Sequence, residues 1–446
     1  MNELIGIPTI DEAEIITLSE MEDFIARHQI NIIHLPTAYR KRYIVDAELR
    51  AIDELIDNDI INRLLAPKGY TPCCRTIFPF NLFRAELLKS LKYPELSYRK
   101  YCDNQLNKLE QKTNRAFIGL PIHKKVTISH SQLSQFRSGL TFGQMVNLMV
   151  YAIHLFIKRG IIDSRQVIHG VDSAELPAVC NPRPLATIEV KGKKVRIYGD
   201  LDADCGKRRN KRDKSEYFVG YRIHSLTAIN SKTGHSYPII SLIAPGNHHD
   251  NLLLPPLVKL GKAIGLDLKV ITADEAYTDV EQNEAMKREY DVTVVSTSKE
   301  KVKLPDYVDE KTKSVYMNKW CETPMSYLGI TDEGNHEFKC NDELGSCLHD
   351  INCPKYREIP IDAGNFGQIP DNVNGVKKVK DLRKNVERPF NLLKHRDGLE
   401  PVRVKSQHGL MAVSTFVNIV NLLLEIVATR KTERKESNQL KLKLAA

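Results

Sequence analysis

The sequence predicts an α/β protein: a mixed sheet flanked by helices, with a helical N-terminal region before it and an irregular, cysteine-containing insertion within it. Three observations carry this prediction. Residues 1–160 place apolar side chains mostly at helical spacing. Between 161 and 299, short β-branched runs such as QVIHGVDS, LKVITAD and DVTVVST alternate with helical stretches, the pattern of a sheet with helix crossovers. From 300 to 375 periodicity is lost and Gly, Pro, Asp and Asn are frequent, so this segment reads as an insertion.

In the N-terminal region, Leu49, Ile52, Ile56, Ile60, Ile61, Leu64 and Leu65 predict one helix across Ala47–Leu65. Phe80–Leu91 and Gln105–Ala116 are further helical candidates. In ISHSQLSQFRSGLTFGQMVNLMVYAIHLFIKRG, Ser129 and Thr141 are placed to cap two helices separated by a turn at Gly139. The outline resembles a helix-turn-helix. The second helix, with Met145, Leu148, Met149, Ile153, Leu155 and Phe156, is too apolar to lie in a DNA groove, so packing is its expected role.

The sheet then begins. QVIHGVDS is a strand, and ATIEV-KGK-KVRIYGD a hairpin turning at Gly192. YFVGYRIHSLTAI and YPIISLIA are strands, and NLLLPPLVKLGKAIG a helix starting at or after Pro255-Pro256. LKVITAD is a buried strand ending at Asp274, VEQNEAMKREY a helix and DVTVVST a strand. Residues 376–430 complete the core with two helices, DLRKNVERPFNLLK and the strongly apolar GLMAVSTFVNIVNLLLEIVATR, which must be buried. Residues 431–446 form a charged tail.

A chain of 446 residues, 42% hydrophobic and 27% charged, has the composition of a globular protein of two or three domains. The net charge of +9 favours a polyanionic partner. No stretch approaches the roughly 20 apolar residues of a membrane span. The N-terminus carries Glu3, Asp11, Glu12 and Glu14 and no basic run, unlike an export signal. With nine irregularly spaced cysteines, this predicts a reducing, cytoplasmic setting.

Three carboxylates are candidates for chemistry. Asp172 and Asp274 end hydrophobic strands, where the sheet fixes a side chain that still reaches solvent. Glu387 lies between Arg383 and Lys394 at the spacing R-x3-E-x6-K, and a carboxylate between cations stays ionised. Carboxylates from three distant segments can hold two Mg²⁺ or Mn²⁺ ions. Pro389 predicts a bent helix across Arg383–Lys394.

Other clusters compete. Asp200, Asp202 and Asp204 offer an alternative first ligand, although Gly206 falls one place late for a calcium loop and Lys211 stands where such a loop needs Glu. Lys207, Arg208, Arg209, Lys211, Arg212 and Lys214 read as a phosphate-contacting loop. His224 reads as a core or site-rim histidine, His248-His249-Asp250 as a helix-start turn, and Glu175 as a surface residue. Cys321, Cys340, Cys347 and Cys353 are candidate zinc ligands, without any C-x2-C pair.

The order strand-Asp, strand-Asp, helix-Glu resembles the DDE transposases of bacterial insertion sequences. The resemblance spans about 129–429 and rests on GVDS at Asp172, GYRIH at 220–224, APGNHHDNLLL at 244–254, TADEAYTD at 272–279 and RKNVERPFNLLK at 383–394. It implies an RNase H-like core and a magnesium-binding triad of Asp172, Asp274 and Glu387. It also implies that Arg383 and Lys394 touch DNA beside the cleaved bond. The Tyr of the family's Y-x2-R-x3-E-x6-K signature is replaced by Lys380. The implied partners are double-stranded DNA (terminal inverted repeats and target) and further copies of the chain, in a nucleoid-associated bacterial setting. The N-terminal third would supply end recognition. A host nuclease of RNase H-like fold, or a transposase-derived DNA-binding protein without activity, are the alternatives.

Overall fold

The computed structural model describes residues 11–28, 40–66, 77–163, 168–190, 192–209, 215–230, 235–296, 305–309, 311–312, 314–331, 335–341, 353–359, 381–386, 399 and 404–445. Glu387, Lys394, Lys211, Arg212, Lys214, Cys347 and Lys380 lie outside them.

The N-terminal region is helical: α1 Leu18–His28, α2 Ala47–Asp53, α3 Asn58–Leu65, α4 Pro79–Lys92, α5 Tyr98–Tyr101, α6 Lys112–Ile118, α7 His130–Gly139 and α8 Phe142–Lys158. The single helix expected across 47–65 is two. Asp57 breaks it by accepting from the backbone N–H groups of Asp59 and Ile60, opening a new helix in mid-stretch. The helix expected across 105–116 is also displaced. A π-helical turn occupies Cys102–Leu106, and α6 starts only at Lys112 and ends on left-handed Gly119. Ser129 and Thr141 do cap α7 and α8, each with a reciprocal box through Gln132 and Gln144. Helix α8 is buried along most of its length, as its apolar composition demanded.

Two buried ion pairs stiffen this region. Arg84 meets Asp53 at 2.7 Å, and Arg137 meets Glu86 at 2.5 Å. Burial pulls the Arg84 guanidinium down to about 10, against the opposing pull of Asp53.

The main sheet is mixed, with strand order β4-β5-β1-β7-β8 and β6 beside the second half of β5. The strands are β1 Ile168–Pro177, β4 Asp204–Arg209, β5 Ser215–Ile229, β6 Ser236–Pro245, β7 Val270–Ala273 and β8 Thr293–Ser296. Strand β1 is antiparallel to β5 and parallel to β7, and β7 is parallel to β8. The parallel pairs are linked through α9 Leu254–Ala263 and α10 Val280–Tyr290. Strands β2 Ala186–Val190 and β3 Lys193–Ile197 form a separate hairpin turning at Gly192, whose φ of +76° suits glycine.

Helix α11 Gln407–Ala445 ties the halves together, packing on β6, α8, α4, α7 and α2. Its segment 407–432 is long and apolar enough by composition to cross a bilayer, contrary to the expectation that no stretch approaches a span. It is buried as a core helix, which is the fate its sequence predicted.

The cysteine-containing insertion is more regular than its sequence suggested. Strands β9 Ser326–Ile330, β10 His336–Lys339 and β11 Tyr356–Ile359 make a small antiparallel sheet over Val308, Val315, Met317, Met325, Phe338 and Ile359. Strands of four or five residues leave too short a period to read.

Candidate active site

Strands β1 and β7 run side by side with Gly170 opposite Thr272. Two residues further along stand Asp172 and Asp274: Asp274 follows the last residue of β7, but Asp172 is not at a strand end as expected, because β1 runs on to Pro177 along β5. Side chains two apart share a face and neighbouring strands lie about 5 Å apart, so the two carboxylates emerge together at the carboxyl end of the parallel pair. That face is apolar behind them, with Ala174, Leu176, Tyr221, Ile223 and Ile243 in one cluster.

Asp172 accepts from the Ser173 backbone N–H at 2.8 Å. Asp274 caps a 3-10 turn, Glu275–Tyr277, accepting from the Ala276 N–H at 2.9 Å. Burial raises the Asp274 pKa. The Ala276 N–H and Arg383 oppose that rise, while Asp250 and Glu275 add to it.

A short segment lies over the same face. Arg383–Asn385 is a single 3-10 turn that ends at Val386, and the rest of the bent helix expected across Arg383–Lys394 lies outside the described residues. Arg383 Nη2 stands 3.9 Å from Asp274 Oδ2. Val386 is fully buried against Gly170, one pleat from Asp172, where an added Cβ would collide with it. The Ser236 hydroxyl donates to the Asn385 carbonyl and pins the segment to β6. Val386 leads directly into Glu387.

Behind the aspartates sits a polar network that sequence reasoning did not assign. Arg222 Nη1 donates to Asp250 Oδ1 at 2.8 Å, and the Ser173 hydroxyl donates to Asp250 Oδ2 at 3.0 Å. Arg222 Nη2 also donates to the Lys207 carbonyl at 2.7 Å. Ser173 and Asp172 are successive strand residues, so this network braces β1 from the opposite face. His224 and Tyr277 are fully buried beside it, 3.3 Å apart. Burial pulls His224 down to about 4, keeping it neutral, and pushes the Tyr277 phenol well up, aided by the charges of Asp250, Asp172 and Asp274. The only sequence signal for Arg222 and Asp250 was their place within GYRIH and APGNHHDNLLL.

An open cleft of about 1060 Å³ adjoins Asp274, walled by Lys207, Arg222, Gly246, His248, His249 and Asp250 among others. Lys207, Arg208 and Arg209 belong to strand β4, paired with Tyr217, Glu216 and Ser215, so the expected phosphate loop starts as a sheet edge. The backbone alternation of that edge had been masked by its unbroken charge.

The rival acidic cluster serves another purpose. Asp200 accepts from the Ser406 N–H and Asp202 from the Gln407 N–H, so both cap α11. Asp204 turns to the Cys205 N–H. Cys321, Cys340 and Cys353 are half-buried around the core of the insertion as free thiols. Among the described residues, no group of three His, Cys, Asp or Glu side chains is gathered closely enough to hold a metal. The described part of the candidate magnesium site is therefore the Asp172–Asp274 pair, hard oxygen donors that suit Mg²⁺, of which Asp274 lines the open cleft.

No family model matches the sequence, and no curated protein matches it. Among solved structures, the chain is distantly similar to a piggyBac transposase synaptic complex with hairpin DNA, at a TM-score of 0.33 and 12% identity, over 91% of this chain and 77% of that one.

Proposed function

We propose that this chain is a DNA transposase with an RNase H-like core, cutting at element ends and joining the freed 3′-hydroxyl to target DNA. The observation that supports the reading best is the placement of Asp172 and Asp274 two residues beyond the last parallel pair of β1 and β7, with Arg383 3.9 Å from Asp274. Asp172, Asp274 and Glu387 would hold two Mg²⁺ ions, which when bound activate an attacking oxygen and stabilise a leaving one. Arg383 would clamp a phosphate oxygen beside the scissile bond, its planar fork suiting two parallel bonds. Lys207, on the cleft wall, and Lys394 would neutralise neighbouring phosphates. Arg222 is already committed to Asp250, so its role is to hold the wall in place. Double-stranded DNA and further copies of the chain are the expected partners.

The test is cleavage and strand transfer on duplexes carrying the inverted repeats that flank the gene, with random duplex as control. Wild-type protein should cut the ends in Mg²⁺, and Asp172→Asn or Asp274→Asn should abolish cutting while duplex binding survives. Equal cutting of random duplex would favour a general nuclease. Binding without cutting would mark a transposase-derived DNA-binding protein.

A further inference from the structure

The hairpin β2–β3 stands apart from everything the active site uses. Among the described residues, its strands pair only with each other and no other element packs extensively on them. Every residue of β2 is exposed, as are Lys194, Val195 and Arg196 of β3. The register gives the ribbon two faces: Ile188 opposite Val195, with Val190 opposite Lys193 at its tip, on one, and Thr187 opposite Arg196 with Glu189 opposite Lys194 on the other. Ile188, Val190 and Val195 keep 45%, 45% and 42% of their surface in solvent.

A lone two-stranded ribbon is marginally stable in water, and one with an exposed β-branched face is weaker still as a free arm. The ribbon is therefore shaped to meet a partner. Charge selects which. Residues 183–197 carry Arg183, Lys191, Lys193, Lys194 and Arg196 against Glu189 alone, whereas the whole chain has 65 basic and 56 acidic residues. Two copies of such an arm would set lysine against lysine, so self-pairing is opposed. A polyanion is favoured. The dimensions agree: five residues per strand span about 17 Å, and a two-stranded ribbon fits the roughly 12 Å major groove of duplex DNA.

The arm is also tethered to the right place. It leaves β1, which carries Asp172, and returns to β4, which carries Lys207 on the cleft wall. Its base is fixed by the bond from the Leu185 N–H to the Ile197 carbonyl and by the buried Tyr198 ring.

We propose that the β2–β3 ribbon is a DNA-binding arm, gripping duplex outside the active-site cleft through Lys194 and Arg196. The identification of the duplex as substrate rests on the transposase reading; the arm itself is a separate claim. The cations meet phosphates, and the aliphatic face is desolvated against the groove, where thymine methyls offer apolar contact.

The experiment uses the full chain and a random-sequence duplex of roughly 40 base pairs, with affinity followed over about 50–200 mM salt. Replacing Lys194 and Arg196 together with Ala should weaken binding at least about tenfold and flatten the salt slope by about 2. Replacing Lys194 with Arg and Arg196 with Lys should retain both affinity and slope, which a merely structural role for these side chains would not predict. If wild-type protein binds and the Ala variant binds with the same slope, the arm is overturned and the transposase reading stands. If wild-type protein binds no duplex, both fall. If Ile188→Ser with Val195→Ser converts an oligomer to monomer in sedimentation while the salt slope is unchanged, the arm is a chain–chain contact and the DNA assignment is overturned.

Discussion

Asp250 shows how the candidate site depends on a residue of the cleft wall that braces a neighbouring strand. Its two oxygens hold Arg222 and Ser173, and Ser173 follows Asp172. Asp250→Ala would leave a largely buried guanidinium without its carboxylate. We expect a loss of about 2 kcal/mol in urea unfolding, below the usual 3–5 for a fully buried pair because both groups retain some solvent contact. Cleavage should fall further than stability explains. His224 offers a pH signature. Its folded pKa lies below the unfolded value of 6.5, at about 4, so the unfolded chain takes the proton first. The stability it contributes is complete above about pH 6.5 and is lost as pH falls toward 4, by up to about 3 kcal/mol. The groups facing it are Tyr277, Asp250, Arg222 and His248. Urea midpoints across that window should slope upward with pH, and His224→Gln should flatten the slope. Asp274 was legible as a strand-end carboxylate because a strand ending in a single charge is a local pattern; Asp172 was picked out by the same pattern, but β1 runs on past it to Pro177 along β5, a pairing that local sequence does not show. Arg222 and Asp250 were not, since nothing in either neighbourhood announces a partner 28 residues away.

Elements read well wherever their signals are local. The boxes at Ser129 and Thr141 reach three residues and could be seen in the sequence. The caps of α11 could not, because Asp200 and Asp202 reach a helix more than 200 residues later. Read locally, the same aspartates resembled a metal loop. Asp202→Ala should cost about 1 kcal/mol by removing a cap, with metal-dependent activity kept in the folded fraction. The turn at Arg383–Asn385 is held by a different device, the bare backbone of Gly170 beneath Val386. Gly170→Ala should force the two apart, cost about 1–3 kcal/mol, and depress cleavage by lifting Arg383 from Asp274. Adding Val386→Ala should recover much of both losses, a coupling that a double-mutant cycle would measure.

At the scale of the molecule, one apolar core runs from the N-terminal helices through the sheet to α11. Phe416 of α11 meets the rings of Phe83 and Phe136, and Asn418 donates to the Ser241 hydroxyl of β6. The helical region is thus part of the sheet's own packing. A chain beginning at residue 165 should fail to give a cooperative thermal transition, and its circular dichroism should lack native helix beyond the simple loss of residues. The reverse dependence holds as well. Asp53→Ala would strip Arg84 of its carboxylate in a fully buried setting and should cost about 3–5 kcal/mol across the whole protein.

The position of α11 in the chain has a consequence in time. A ribosome adding about 5–20 residues per second delivers Asp172 and Asp274 well before it delivers Phe416 and Val417. Until then the apolar faces of the sheet and of the N-terminal helices have no common lid, and the strand ends have no settled geometry. Competence to cut would arrive only after nearly the whole chain has been made. Under the proposed function, the nascent chain would be unable to cut DNA, and a message truncated upstream of codon 407 should yield a product without cleavage activity.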